Sequence, residues 1–312
     1  MKLGKYSARM ALILGFYAFL AILALFSKAY ADVVFYILLV SVVSQSLNII
    51  FGIAGLVSLG QVVFLGIGVY TFTFLISQGF NPCLSVIAGG FASLIFAVAV
   101  GAVLLRLRGI FFACATLILS VAVPYFIIGT GIVGGFAGVN IYKYISSFYN
   151  IHVLVFSLLV ISLFTTILTI KILESPFGYS LRALKADHDA AETTGINTFR
   201  QKMLALCVSA MLTGIAGGIL AIKQAYILPL VVFDPLYSIE AILVVLLGGP
   251  GTVMGPVLGA FIYEMLRDIL MRFAPGFQAF IYGILVIAII LRAREGIVGL
   301  LKKNKKLQKL LV

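Results

Sequence analysis

The sequence predicts an all-α polytopic membrane protein with about ten transmembrane helices, and three observations predict it. Hydrophobic residues make up 63% of the 312-residue chain and charged residues 10%, against about a quarter charged in soluble domains. The apolar residues fall in continuous runs, and a helix crossing the hydrocarbon core needs about 20 of them. A membrane β-barrel would alternate in polarity instead. Finally, Lys and Arg gather at the ends of these runs, as expected when positive charge is retained on the cytoplasmic side.

The runs follow in order. The first, 10–27, lies behind Lys2, Lys5 and Arg9, and no convincing small-residue cleavage site follows it, so it reads as an uncleaved span rather than a signal peptide. The second, 33–51, carries the polar residues Ser41, Ser44, Gln45 and Asn48. Runs 62–77 and 84–105 follow, the latter ending at Arg106 and Arg108, and then 110–128. Run 152–173 ends beside Lys171, and 203–222 starts after Arg200 and Lys202. Run 238–249 is short and holds Glu240, 256–273 holds Glu264, Arg267 and Asp268, and 279–292 leads into a basic tail. With the N-terminus inside, 17 of the 22 basic residues fall at cytoplasmic ends, which places both termini in the cytoplasm. An eight-span version, with segments near 238–259 re-entrant, keeps the same sidedness. The whole of 1–312 reads as one transmembrane domain, with 174–202 as a cytoplasmic loop within it.

Two regions interrupt the apolar pattern with glycine, Gly52 to Gly68 and Gly248 to Gly259. Gly251, Gly255 and Gly259 recur every four residues, a spacing that lets helices approach closely. Paired glycine and proline interruptions in two halves of a chain also mark discontinuous helices along a translocation path. Both readings stand. On the second, Gln45, Asn48, Gln61, Glu240, Gly251 and Gly255 are the candidate path residues. Polar groups are costly in hydrocarbon unless they face protein or water, and Gln45 and Asn48 share a helix face by their spacing. As interhelical glue they need no solute. Glu264 is expected to pair locally with Arg267. The loop from Gly129 to Ile151 is glycine-rich and then aromatic, consistent with an interfacial belt or a short helix meeting a partner.

No catalytic constellation is present, and the chain reads as a non-enzyme. His152 and His188 are isolated in sequence, and neither G-x-S-x-G nor a GxxxxGK[ST] phosphate loop occurs. Cys83, Cys114 and Cys207 lack metal spacing and read as buried thiols of lipid-embedded helices, with no cofactor implied. The net charge of +12 is spread over span ends, which argues against nucleic acid as a partner. Any energy from nucleotide must come from another subunit.

The exception to the apolar pattern is Glu174 to Lys202, which holds four of the ten acidic residues, Glu174, Asp187, Asp189 and Glu192. Pro176 and Gly178 disfavour continuing the preceding span. A helix is expected from about Tyr179 until Gly195 stops it. Leu181, Leu184 and Ala191 would line one side, while Arg182, Lys185, Asp189 and Glu192 project elsewhere. Acidic residues sit poorly against an anionic leaflet, so a helix that docks a cytoplasmic protein explains this segment better than one resting on headgroups.

Asp189-Ala190-Ala191-x-x-x-Gly195 resembles the EAA loop of ATP-binding-cassette importer permeases, with Asp in place of the usual Glu. The surrounding SPFGYSLRALKADHDAAETTGIN is similar to branched-chain amino acid permeases of the LivM type. So are SLNIIFGIAGLVSLGQVVFLGIGVYT, RLRGIFFACATL and SIEAILVVLLGGPGTVMGPVLGA, in the family's order. The resemblance implies a type II importer-like permease bundle in a bacterial or archaeal cytoplasmic membrane. It implies a homologous LivH-type permease, two cytoplasmic ATPase subunits and an extracytoplasmic solute-binding protein as partners. Arg182, Asp189, Ala190, Ala191, Glu192 and Gly195 would then couple ATPase closure to the spans. A urea or sugar permease is the alternative within this class. An ion-coupled secondary transporter using Glu240 or Glu264 is the alternative outside it.

Overall fold

The structure, a computed structural model, describes residues 2–273 together with 283–284 and 296–297. Two compact units divide the chain. One comprises Met1–Asn48, Ile151–Ile170 and Ala241–Val312; the other comprises Ile49–Asn150 and Lys171–Glu240.

The described part of the first unit is built on α1 (Lys2–Phe26), α2 (Lys28–Asn48), the first part of α7 (Ile151–Glu174), most of α12 (Leu236–Gly248) and α13 (Gly255–Phe273). Its interior is apolar, with Val40, Leu243, Val244, Ala260 and Tyr263 packed in one cluster. Three hydroxyls inside it find one another. The Tyr17 hydroxyl lies 2.8 Å from Ser162 Oγ and 2.9 Å from Thr166 Oγ1, so α1 is pinned to α7. A half-satisfied hydroxyl would be costly there.

Between α12 and α13 the chain is non-helical from Gly249 to Met254, with positive φ at Gly249 and Gly251. The glycine spacing therefore works only in part as the sequence predicts. Gly255 and Gly259 lie in α13 and press against α12, where a Cβ would strike the backbone of Gly248 and Val244. Gly251 sits in the turn, because its φ of 79° is incompatible with a right-handed helix.

The second unit is centred on α3 (Gln61–Ser77), α4 (Pro82–Leu104) and α10 (Thr198–Gln224), joined by α5 (Ile110–Thr130) and short helix α11 (Pro229–Val232). The three central helices meet through glycine. A Cβ on Gly217 would run into the Leu65 carbonyl, one on Gly68 into Gly214, and one on Gly89 into the backbone of Gly68. Backbones this close exclude lipid and strengthen dispersion contacts. Asn81 starts α4, its side chain accepting the Cys83 N–H, with Pro82 in the first helical position.

At the C-terminal end of α10, the aromatic loop forms structure of its own. A 3₁₀ segment (Ile132–Ala137) leads to β1 (Val139–Asn140), which pairs antiparallel with β2 (Tyr226–Ile227), and α6 (Tyr142–Ile145) follows. Tyr142, Tyr144, Phe148 and Tyr149 remain exposed, so a short helix and exposed aromatics coexist.

Six helices among the described residues are long and apolar enough to cross a membrane: Lys28–Ile53, Pro82–Leu104, Ile110–Thr130, Ile151–Glu174, Thr198–Gln224 and Pro229–Gly248. Met10–Phe26 and Gln61–Ser77 are shorter apolar helices. Run 238–249 is thus the end of a longer element, and run 279–292 lies outside the described residues apart from 283–284. The three thiols are free; Cys83 and Cys114 lie on the exposed surface rather than inside, and Cys207 is half-buried.

Candidate functional site: the polar-loop helices and the interrupted spans

The polar segment folds as two helices, not one. Ser175 caps α8 (Pro176–Ala186), its hydroxyl accepting the Gly178 N–H, and Pro176 takes the first helical position. Asp187 then leaves the helix with φ −158° and ψ 120° and begins α9 (His188–Thr193). Its carboxylate accepts from Asp189 N at 2.9 Å and Ala190 N at 3.0 Å. A short acidic side chain competing for backbone donors breaks the helix and restarts it.

Gly195 ends α9 as expected. Its φ is 85°, and two crossed bonds close the turn, Gly195 N donating to Glu192 O at 3.0 Å and Ile196 N to Ala191 O at 3.2 Å. That is a Schellman motif, which needs the left-handed residue. Leu181, Leu184 and Ala191 are buried, as the pattern predicts, and Ala190, Asp189 and Glu192 are exposed. Gly178 lies so close to α7 that a Cβ would strike the Ile172 carbonyl.

Three of the predicted coupling residues make side-chain contacts with neighbouring elements. Arg182 Nη2 donates to Leu173 O at 2.8 Å, closing the end of α7, and its guanidinium stacks 4.6 Å from the Tyr179 ring. Asp189 receives Arg108 Nη1 at 3.0 Å from the α4–α5 turn. Glu192 accepts from Thr198 Oγ1 at the start of α10. Arg108 and Thr198 are not singled out by the sequence; only the position of Arg108 at the end of an apolar run hints at its partner. His188, Asp189 and Glu192 place ligand atoms within 4.8 Å of one another, on a surface where Arg108 and Thr198 already engage both carboxylates.

Beside α8 lies the other glycine interruption. The helix begun as α2 widens to a π-helix over Ile49–Ile53, and the chain is non-helical from Ala54 to Gly60 before α3 begins. Both predicted properties of this region are present, a break at Ala54 to Gly60 and close packing at Gly68. Gln61 Nε2 donates to Ser209 Oγ at 3.0 Å and to Thr213 Oγ1, joining α3 to the middle of α10. Leu59 N donates to Thr116 Oγ1 at 3.1 Å, and Val62 N to Ser238 Oγ at 2.9 Å.

In the first unit, the end of α2 grips the α12–α13 turn. Gln45 Nε2 donates to Val253 O at 3.0 Å and Asn48 Nδ2 to Thr252 O at 2.9 Å, while Asn48 Oδ1 accepts from Gly251 N at 2.8 Å. Gly255 N donates to Thr252 Oγ1 at 3.1 Å. Glu264 pairs with Arg267 at 3.2 Å, the local ion pair expected. Glu240 is half-buried near the start of α12.

These features define a multi-pass all-α membrane protein whose spans are interrupted in two places. Residues 29–290 match the family model for the branched-chain amino acid transport system / permease component, and the chain belongs to that family. It is a transport component, not an enzyme. It is similar to the high-affinity branched-chain amino acid transport system permease protein LivM of Salmonella typhimurium strain LT2, 26% identical over 90% of this chain and 73% of the relative. The protein of the same name from Escherichia coli strain K12 is 25% identical over the same shares. A probable branched-chain amino acid transport permease protein LivM from Methanocaldococcus jannaschii is 24% identical over 45% of this chain and 41% of its own length. No solved structure matches the chain.

Proposed function

We propose that this chain is a transmembrane permease subunit of an ATP-binding-cassette importer in the cytoplasmic membrane, with both termini inside, and that its solute is a branched-chain amino acid. It forms the translocation path with a homologous permease, receives solute from an extracytoplasmic binding protein and is driven by two ATPase subunits. The observation that carries this reading is the α8–α9 pair. It is rigidly closed by its caps, buried along Leu181, Leu184 and Ala191, and exposes Asp189, Ala190 and Glu192. A rigid exposed helix fixed to two long helices suits the transfer of a rigid-body movement. Gln45, Asn48 and Gln61 hold the interrupted segments, where Gly251 and Gly255 shape the turn and Glu240 stands at the start of α12; interruptions of this kind flank solute sites in transporters.

The test is uptake by the assembled transporter in proteoliposomes, comparing labelled leucine with ribose and urea. Leucine uptake that requires ATP supports the reading, and preferential ribose or urea uptake would replace the solute. Gly195→Trp and Ala190→Glu change exposed positions; Gly195 has open space around it, but at its φ of 85° the Trp also strains the turn that closes α9. Both should leave the chain in the membrane and abolish ATPase co-purification and uptake together. Normal uptake in both, or uptake that persists without ATPase subunits and collapses with an uncoupler, would overturn it.

A further inference from the structure

Lys185 lies in the last turn of α8, and the residue as a whole is exposed. Its Nζ nevertheless reaches away from α8 to donate to the carbonyl of Gly52, at 2.7 Å. Gly52 belongs to the π-helical end of the interrupted span, where backbone carbonyls run out of helical donors. Ile49, Ile50 and Phe51 are served by Ala54, Leu56 and Gly55 N–H groups. The Gly52 carbonyl takes a cation from another element instead, which also suits the negative end of a helix.

Gly55 makes the approach possible. Its φ is 78°, and a Cβ there would come within 2.9 Å of Lys185 Cγ and 3.3 Å of Lys185 Cβ. The turn after the π-helix therefore doubles as a seat for the lysine stem. At the far end, the same segment is held by Thr116 and Gln61. At the near end, its tie to the polar loop is Lys185. Leu181 and Leu184 are buried beneath α8, and Arg182 donates to the last turn of α7, so α8 is tied to the end of α7.

We propose that Lys185 is a positioning residue that transmits displacement of the α8–α9 pair to the non-helical segment 54–60 by gripping Gly52 across Gly55. The proposal rests on the reading of α8–α9 as the ATPase-docking element. Lys185 need not touch the ATPase for this; it links what the ATPase moves to the interruption in the span.

The experiment uses the complete transporter in proteoliposomes, with ATPase co-purification, ATP hydrolysis and leucine uptake measured on each variant. Lys185→Met keeps the stem and removes the charge-assisted bond. It is expected to retain the ATPase subunits and hydrolysis, while uptake falls about tenfold, as loss of one hydrogen bond to a charged group implies. ATP consumed per solute then rises about tenfold. Lys185→Arg, which still reaches a carbonyl, should recover most of the coupling. Gly55→Ala, which displaces the stem and strains the turn, should uncouple in the same way and serves if Lys185→Met is lost from the membrane. An unchanged ratio of hydrolysis to uptake in both Lys185→Met and Gly55→Ala overturns the proposal, as does an Lys185→Arg as uncoupled as Lys185→Met. Failure of the unaltered chain to retain ATPase subunits overturns the docking reading itself, which separates the two failures.

Discussion

Replacing Asn48 with Leu removes two of the three side-chain hydrogen bonds by which the end of α2 holds the α12–α13 turn. Asn48 is fully buried; its amide donates to Thr252 O at 2.9 Å and accepts from Gly251 N at 2.8 Å. Each such bond contributes about 1 kcal/mol net in proteins, and about 0.6 kcal/mol on average between membrane helices. Leucine is close to isosteric, so little cavity is created, and the loss comes from two backbone groups left without partners. Because Gly251 and Thr252 are only half-buried, water recovers part of it. The expected loss is about 2 kcal/mol, a factor of about 30 in the folded ratio. Asn48→Asp keeps the acceptor for Gly251 N–H but sets a carboxylate oxygen against the Thr252 carbonyl, so it should be worse still. Gln45→Leu removes one bond to Val253 and should lose about half as much, with the double substitution less than additive because both side chains hold one turn. The assay is unfolding of the purified chain in mixed micelles by increasing denaturing detergent, followed by far-UV circular dichroism. If Asn48→Leu matches or exceeds the unaltered chain, the apolar environment dominates and the hydrogen-bond argument is refuted.

Gly217→Leu should prevent α3 and α10 from meeting, because the obstacle is the Leu65 backbone and cannot rotate away. A loss of about 3 kcal/mol or more is expected, seen as missing monodisperse protein in size-exclusion chromatography, whereas Gly15→Leu, with open space around it, should behave normally. Asp187→Ala removes the cap of α9 and should weaken that helix by about 1 kcal/mol, so amide exchange across 188–194 speeds up about fivefold while α10 is unchanged. For Lys185, partial burial lowers the ammonium pKa below the ordinary lysine value of 10.5. Between those two values the unfolded chain keeps the proton and the folded chain has released it, so stability rises with pH in that window. The unaltered chain should therefore gain stability relative to Lys185→Met as pH climbs toward 10.5, and the gain should level off above it; a relative loss over that range would reverse the assigned cause.

Hydropathy made the long helices legible because a span must be apolar over its whole length, whatever it packs against. The same property hid how they pack. A helix apolar on all sides has no preferred face, so periodicity says nothing about Gly89, Gly214 and Gly217, whose close approaches only the fold displays. Polar residues reversed the balance. Asp189, Glu192 and Gly195 stood out against the background, and Gly195 does end α9, yet the break at Asp187 went unread because a helix-forming composition surrounds it. Lys185 shows the limit most clearly. In sequence it is one more charge on an amphipathic helix, indistinguishable from Arg182 three residues earlier. In the fold Arg182 closes the helix before it, and Lys185 reaches a carbonyl 133 positions away, at the break in a span. The difference lies in Gly55, whose missing side chain leaves room for the lysine stem. The contact of Lys185 with Gly52 is therefore legible only once the space left by Gly55 is seen.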